Sequence, residues 1–343
     1  MEGYRPRTKI LCTIGPASSS ESILREMMRA GMDAARINFS HGTHAAHAGR
    51  IRTVRILNGK YRRRIRILAD LEGPRIRVGH FRGGKTIHLE KNKTVYMVKD
   101  EDTAVGGYIP FDYPGDLKDI EPALFMYMDD GNIVLRIEDV EKNRIRLKVI
   151  AGGELKERKG INIPGARLKF PLLSKKDKRD VDFALENGAD YIAQSFVRSR
   201  KDMLALREYM DVKNPPLLVA KIECQEGINN IDEITGVSDG IMVARGDMGI
   251  SIPVYRVPFV QKKIISRCRE HGKFSIIATQ MLESMTENLF PTRAEVSDVA
   301  NAVLDGTNWV MLSAETSVGK HPVACDRMMN DIVKYAERYR KSE

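Results

Sequence analysis

Leu217 to Gly249 reads LLVAKIECQEGINNIDEITGVSDGIMVARGDMG, and this stretch decides the fold. An apolar run ends in Lys221-Ile-Glu223, a short helix is predicted over Ile228 to Thr235, and a second apolar run, Gly240 to Arg245, ends before Gly246-Asp247. This is a β-α-β unit. Parallel strands joined by a right-handed crossover deliver their C-terminal ends to one edge of a sheet, so Lys221, Glu223 and Asp247 are expected to converge. Two carboxylates held together need neutralising, and a divalent metal with oxygen ligands is the usual solution. The plain alternative is a pair of solvated loop acids and a surface lysine; two successive strand ends, with Gly246 beside the acid, favour a site.

Working outward, further apolar runs lie at Thr8 to Gly15, Asp33 to Ser40, Arg64 to Glu72, Asp190 to Val197, Phe274 to Gln280 and Asn308 to Ala314. With the two above that makes eight, separated by helical patterns. Ser18-Ser-Ser-Glu21, Ser174-Lys-Lys-Asp177 and Thr292-Arg-Ala-Glu295 read as capping boxes that open helices, and Pro322 to Tyr339 has the spacing of one amphipathic helix. Eight strands alternating with helices predict an α/β protein, a (β/α)8 TIM barrel whose site lies at the C-terminal strand ends; an open doubly wound sheet is the competing arrangement. One connection breaks the rhythm. From Gly79 to Arg158 the chain alternates as strands do, at Lys93 to Val98 and Arg144 to Val149, and Met128-Asp-Asp130-Gly131-Asn132 reads as a hairpin turn. The expected division is a barrel from 1–78 and 159–343 and a β-rich cap domain, 79–158, inserted after strand three. A hinged cap suits a transfer that competes with hydrolysis.

A chain of 343 residues, 42% hydrophobic, can bury a large core. No apolar run approaches the roughly 18 residues of a membrane span, and MEGYRPRTKI lacks a signal-peptide core, so no membrane association and a cytoplasmic location are expected. Cys12, Cys224, Cys268 and Cys325 are scattered, without a CxxC pair, and indicate neither disulfides nor zinc. The net charge of +10 is partly local: Arg50 to Arg66 holds eight basic residues and no acid. Nucleic acid is disfavoured, because only Tyr61 is interleaved, and a positive field equally suits small polyanions.

The strand ends collect polar residues: Arg36, Asn38, Ser40 and His41 after the second, and Asp70, Arg75 and Arg77 after the third. Lys221 and Glu223, Asp247, Thr279 and Gln280, and Ser313 with Glu315 follow on the fifth to eighth. The set suits a phosphorylated carboxylate, with Mg2+ or Mn2+ on Glu223 and Asp247 and the phosphoryl group held by Arg36 and Lys221. Gly246 lets backbone N–H groups at the following helix approach a carboxylate. Taken singly, Asn38 and Ser40 can satisfy turn backbone, His41 can start a helix, Thr279 can be a packed barrel residue, and Asp130 a hairpin residue.

These residues lie in segments that closely resemble pyruvate kinase. They are TKILCTIGPAS at Thr8 to Ser18, ARINFSHG at Ala35 to Gly42, DLEGPRIRVG at Asp70 to Gly79, KGINIPG at Lys159 to Gly165, and SKKDKRDVDFALENGADYIAQSFVRS at Ser174 to Ser199. They continue with AKIECQEGINNIDEI at Ala220 to Ile234, SDGIMVARGDMG at Ser238 to Gly249, ATQMLESM at Ala278 to Met285, PTRAEVSDVANAVLDG at Pro291 to Gly306, and MLSAETSVGKHP at Met311 to Pro322. The resemblance implies phosphoryl transfer from phosphoenolpyruvate to ADP, giving pyruvate and ATP. It implies Glu223 and Asp247 as metal ligands, Lys221 and Arg36 on the phosphoryl group, and Thr279 in the proton-delivery region. By the same resemblance Gly246 lies under the carboxylate, Asn38, His41, Arg77 and Lys159 lie towards the nucleotide, and Asp130 lies near the closed site.

Two departures carry expectations of their own. Many family members hold K+ with side chains matching Asn38, Ser40 and Asp70 and the carbonyl matching Leu71, in a segment reading Asp-Thr-Lys-Gly-Pro-Glu. This chain reads Asp70-Leu-Glu-Gly-Pro-Arg75, and the guanidinium of Arg75, free to pair with Asp70 or substrate phosphate, is expected to replace the monovalent cation. The chain also stops one helix past strand eight, where many relatives continue into an effector domain. The expectation is therefore an enzyme without effector control, with a dimer as the first expected homo-oligomer and a tetramer as the alternative. The rival readings are a metal-dependent aldolase or lyase acting on pyruvate enolate, which needs no cap, and a non-catalytic nucleic-acid-binding relative resting on the Arg50 to Arg66 run.

Overall fold

The computed structural model describes residues 6–81, 86–99 and 108–342. Residues 82–85 and 100–107 of the expected insertion, the extreme N-terminus and Glu343 lie outside the described residues. The eight expected strands are all present, at Lys9–Thr13, Ala34–Asn38, Arg66–Asp70, Tyr191–Gln194, Leu217–Ile222, Gly240–Ala244, Phe274–Ala278 and Trp309–Leu312. They form a closed parallel barrel in which the first strand pairs with both the second and the eighth. Burial explains the composition of these runs. Helices cover the outside and Leu11, Leu68, Val219, Met242, Ile276 and Met311 pack within, so the strands are apolar on both faces rather than alternating.

Two compact units divide the chain: Met1–Gly73 with Leu173–Arg245 and Pro258–Glu343, and Pro74–Leu172 with Gly246–Val257. The first is the barrel. Its ends are tied by Glu337 on the last helix, Pro322–Ser342, whose carboxylate accepts the backbone N–H of Arg7 at 2.9 Å and of Thr8 at 2.6 Å. The second contains a seven-stranded sheet and a two-stranded one over its own core, which includes Phe111, Met126, Leu135 and Leu147. Phe125–Met128 and Ile133–Val140 form the expected hairpin, and Asp129, Asp130 and Gly131 turn it with φ of 51°, 54° and 89°.

Two local expectations are corrected. The first helix, Glu21–Ala30, is capped by Ser20 and not Ser18, because the Ser18 hydroxyl accepts the N–H of Gly15 and closes a separate turn over Pro16–Ser18. The helix expected over Ile228 to Thr235 is two, Gln225–Asn229 and Ile231–Val237, broken at Asn230, whose side-chain amide donates to the carbonyl of Arg198 at 2.8 Å. The boxes at Ser174 and Thr292 are formed as read, opening Lys175–Glu186 and Arg293–Asp305.

The Thr292 box reaches further than its own helix. Glu295 accepts from the N–H groups of Thr292 and Ser284, both at 2.7 Å, and from the Ser284 hydroxyl at 2.5 Å. Burial alone would raise its pKa, but the hydrogen bonds from Ser284 and Thr292 outweigh it and hold the carboxyl below its ordinary range. Its contribution is therefore present above the unfolded value and fades as pH falls through the lower native one. Glu295→Gln is expected to cost about 1–2 kcal/mol at neutral pH, read by urea unfolding with the fluorescence of Trp309, the single tryptophan. The difference from the parent should shrink below about pH 4; an undiminished difference there would refute the ionic account.

Candidate active site

Arg36 is the third residue of its strand and pairs in register with Thr13, while Asn38 pairs with Asp70. This register brings the Arg36 Nε to 2.6 Å from Asp70 Oδ2 and its Nη1 to 3.0 Å from the Thr13 hydroxyl. Lys221, next to last on the fifth strand, reaches the other carboxylate oxygen of Asp70 at 3.1 Å and Glu223 at 3.2 Å. Asp70 is fully buried, Glu223 is 2% exposed and Lys221 8%. Such a cluster persists only because charges alternate; a lone carboxylate there would take up a proton. Burial pushes the Asp70 pKa up, but Lys221 and Arg36 outweigh it and the net shift is downward. Burial likewise lowers that of Lys221, and Asp70 and Glu223 reverse the shift to a net rise.

Ser195, just past the fourth strand, completes the cluster. Its hydroxyl donates to the carbonyl of Leu71 at 2.7 Å and lies 2.6 Å from the Lys221 ammonium. The next residue, Phe196, has φ 53° and donates its N–H to Glu223 at 2.6 Å. Gly73 is needed opposite, since at φ 69° a Cβ would lie 2.6 Å from the carbonyl of Ser195. Sequence reading passed over Ser195, although its place just after a barrel strand was the available signal.

Thr279 and Gln280 leave the seventh strand with φ of 68° and 54°. That backbone is costly for a β-branched residue and is held from outside. The Arg245 guanidinium donates to the carbonyl of Thr279 at 2.6 Å and of Gln280 at 3.1 Å, and Asp298 grips the same guanidinium at 2.6 Å. Arg245 is the second residue that sequence reading missed, having been read only as a strand end. Glu315, counted among the strand-end acids, is engaged structurally: it is buried and accepts the N–H groups of Ser313 at 2.6 Å and Leu282 at 3.1 Å. Asn38 fills the turn role, accepting the N–H of Ser40 at 3.1 Å, and His41 is exposed.

The second unit holds the remaining residues. Arg75 Nη2 lies 3.1 Å from Asp247 and 3.5 Å from Asp130, and Asn162 donates to Asp247 at 3.4 Å. Gly160 makes room, for a Cβ there would sit 2.4 Å from that guanidinium. Lys159 pairs with Asp129 at 2.5 Å, and Arg77 donates to the carbonyl of Arg158 at 3.0 Å. Gly246 and Asp247 fall in the short helix Arg245–Ser251, directly after the sixth strand. Among the described residues, no three His, Cys, Asp or Glu side chains are placed to hold a metal ion.

The sequence profile of the pyruvate kinase barrel domain matches residues 5–325. The chain belongs to the pyruvate kinase family. It is 44% identical over 334 residues to pyruvate kinases of Staphylococcus aureus strains MRSA252 and USA300, covering 96% of this chain and 57% of each relative. The chain thus spans a little over half the length of the curated relatives it matches.

Removing the central carboxylate tests the cluster. Asp70→Asn leaves Lys221 and Arg36 buried without their shared partner and should cost about 3–5 kcal/mol. Asp70 stabilises above its ordinary 3.8 and loses that effect as pH falls through its lower native value; Lys221 stabilises below its ordinary 10.5 and loses it above its raised one. The cost should therefore be flat between those limits. Thermal unfolding of parent and variant across that range checks it, and an unchanged midpoint would show that the cluster is not stabilising.

Proposed function

We propose that the chain transfers a phosphoryl group from phosphoenolpyruvate to ADP, giving ATP and, after protonation of the enolate, pyruvate. One observation carries the reading: the buried cluster of Arg36, Asp70, Lys221 and Glu223 at the C-terminal strand ends of a pyruvate kinase family barrel. Phosphoryl transfer asks for positioned cations and little covalent chemistry, and this cluster supplies cations already fixed by buried carboxylates. In the proposed roles Lys221 meets the moving phosphoryl group, Arg36 binds its oxygens, and the Thr279 hydroxyl lies in the proton path to the enolate. Asn38, His41, Arg77, Lys159 and Asp130 serve the nucleotide, and backbone N–H groups at Gly246 receive the substrate carboxylate.

Glu223 and Asp247 are the proposed ligands of Mg2+ or Mn2+. Their oxygen donors, without thiolate or imidazole, fit a hard cation that keeps water and phosphate in its remaining positions. The ion, when bound, supplies charge neutralisation to the phosphate oxygens.

K+ is proposed to be dispensable. The residues of the monovalent-cation position are already served by the protein: Asp70 by Arg36 and Lys221, the Leu71 carbonyl by Ser195, and Asn38 by the N–H of Ser40. Arg75 adds a fixed positive charge against Asp130 and Asp247. The insertion at 79–158 is proposed as a β-rich cap domain, and the working form as a cytoplasmic homo-oligomer, a dimer in the first instance. No helix among the described residues is long and apolar enough to cross a membrane.

Pyruvate release from phosphoenolpyruvate, ADP and Mg2+ in tetramethylammonium buffer is the test. Turnover is expected without K+, with a loss of about 10³-fold or more in Lys221→Ala and the appearance of K+ activation in Arg75→Glu. No pyruvate in any buffer overturns the reaction, and turnover only with K+ overturns the role of Arg75 alone.

A further inference from the structure

Within the barrel unit, away from the Lys221 cluster, Phe39, Gly42, His44, His47, Lys176, Arg179 and Asp180 line an open pocket of about 250 Å³. One wall is the start of the helix His44–Tyr61 and the other is the helix Lys175–Glu186. The Lys176 ammonium is fixed by Asp180 at 2.7 Å, the carbonyl of Phe39 at 2.8 Å and Glu72 at 3.2 Å. Asp180 is buried and meets His44 Nε2 at 2.7 Å, and the His44 ring stacks on Phe183 with centroids 4.4 Å apart. Both contacts fix the imidazole, and with Nε2 occupied Nδ1 is the nitrogen available to a ligand.

His47 is 2% exposed, and burial with the Arg50 guanidinium 3.4 Å from its Nδ1 lowers its pKa to about 4. It is neutral at physiological pH, so the positive charge behind it is Arg50. Arg179 is exposed, and among the described residues no carboxylate forms an ion pair with it. The balance is three cations, Lys176, Arg179 and Arg50, against Asp180 and Glu72, around a concave polar space with a preset imidazole.

We propose that this pocket binds a small oxyanion, inorganic phosphate or the phosphate of a monoester, with Arg179 as the charged grip and His44 as a hydrogen-bonding partner. A forked guanidinium is the donor set such an anion requires, and the ordered imidazole, its Nε2–H given to Asp180, adds a donor at Nδ1 in its doubly protonated form. The occupant would lie against Lys176, which ties Phe39 to Glu72, and the N–H of Phe39 in turn bonds the carbonyl of Asp70 at 2.9 Å. The pocket thus contacts the segments that leave the second and third strands, which is the position of an effector rather than of a reactant.

The proposal is independent of the reaction above and is read without turnover. Histidine Hε1 resonances of the whole chain, seven in all, are followed while sodium phosphate or glycerol phosphate is added at constant ionic strength set with NaCl. A saturable shift of His44 with phosphate is expected, about tenfold weaker in Arg179→Ala, the loss of one charge-assisted contact, and partly restored in Arg179→Lys. Tighter binding of glycerol phosphate would assign the site to monoesters, and equal binding to the free ion. Absence of a saturable His44 shift, or one unchanged in Arg179→Ala, overturns the proposal; Arg179 is exposed, so its variants should fold.

Discussion

Asp70 is the constraint on which the barrel mouth depends. A carboxylate excluded from water is tolerated only when cations replace its hydration, and two do so here, Arg36 from the second strand and Lys221 from the fifth. The choice propagates. Lys221, drawn inward by Asp70, also neutralises Glu223, which is then free to accept the N–H of Phe196 and fix the exit of the fourth strand. Four strand ends are thereby tied through one carboxylate. The cations are held in place by the protein's own carboxylates, the preorganisation that electrostatic stabilisation of an anion requires.

Backbone strain is distributed on the same logic. Phe196, Thr279 and Gln280 all have positive φ, and all follow barrel strands. None is glycine, so each turn costs energy that local sequence does not return. The compensation is tertiary. Glu223 holds the Phe196 turn, and Arg245, gripped by Asp298, holds the other two through their carbonyls. Arg245 leaves the sixth strand and stabilises the exit of the seventh, so neighbouring strand ends support one another.

This distribution explains what was legible in the sequence. The eight strands were readable because a barrel strand is apolar on both faces, leaving a contiguous run rather than an ambiguous alternation. The capping boxes at Ser174 and Thr292 were readable because both partners lie within three residues; the one at Ser18 was misplaced because a serine hydroxyl serves any nearby N–H, and that of Ser18 takes Gly15 on its N-terminal side while Ser20 caps the helix. The charged members of the site stood out as residues ill-suited to a core. Ser195 and Arg245 did not, since their importance comes from a carbonyl and an ammonium group brought by distant segments, and no local pattern encodes that. Nor does sequence say which acid a cation takes. Arg75 was expected to be able to pair with Asp70 or substrate phosphate; in the structure its partners include Asp130 and Asp247, while Asp70 is met by Arg36 and Lys221.

Each unit neutralises acids held close together, and the two do so in different ways. In the barrel the neutralising charges are a lysine and an arginine buried among strand ends, where displacing either leaves an uncompensated carboxylate. In the second unit the charge is Arg75, half-buried, between an exposed acid on a hairpin turn and one at a helix start, in a space kept open by Gly160. A guanidinium does not titrate in the physiological range and, unlike a bound monovalent ion, is not diluted away. Its effective concentration beside Asp247 is set by the chain itself.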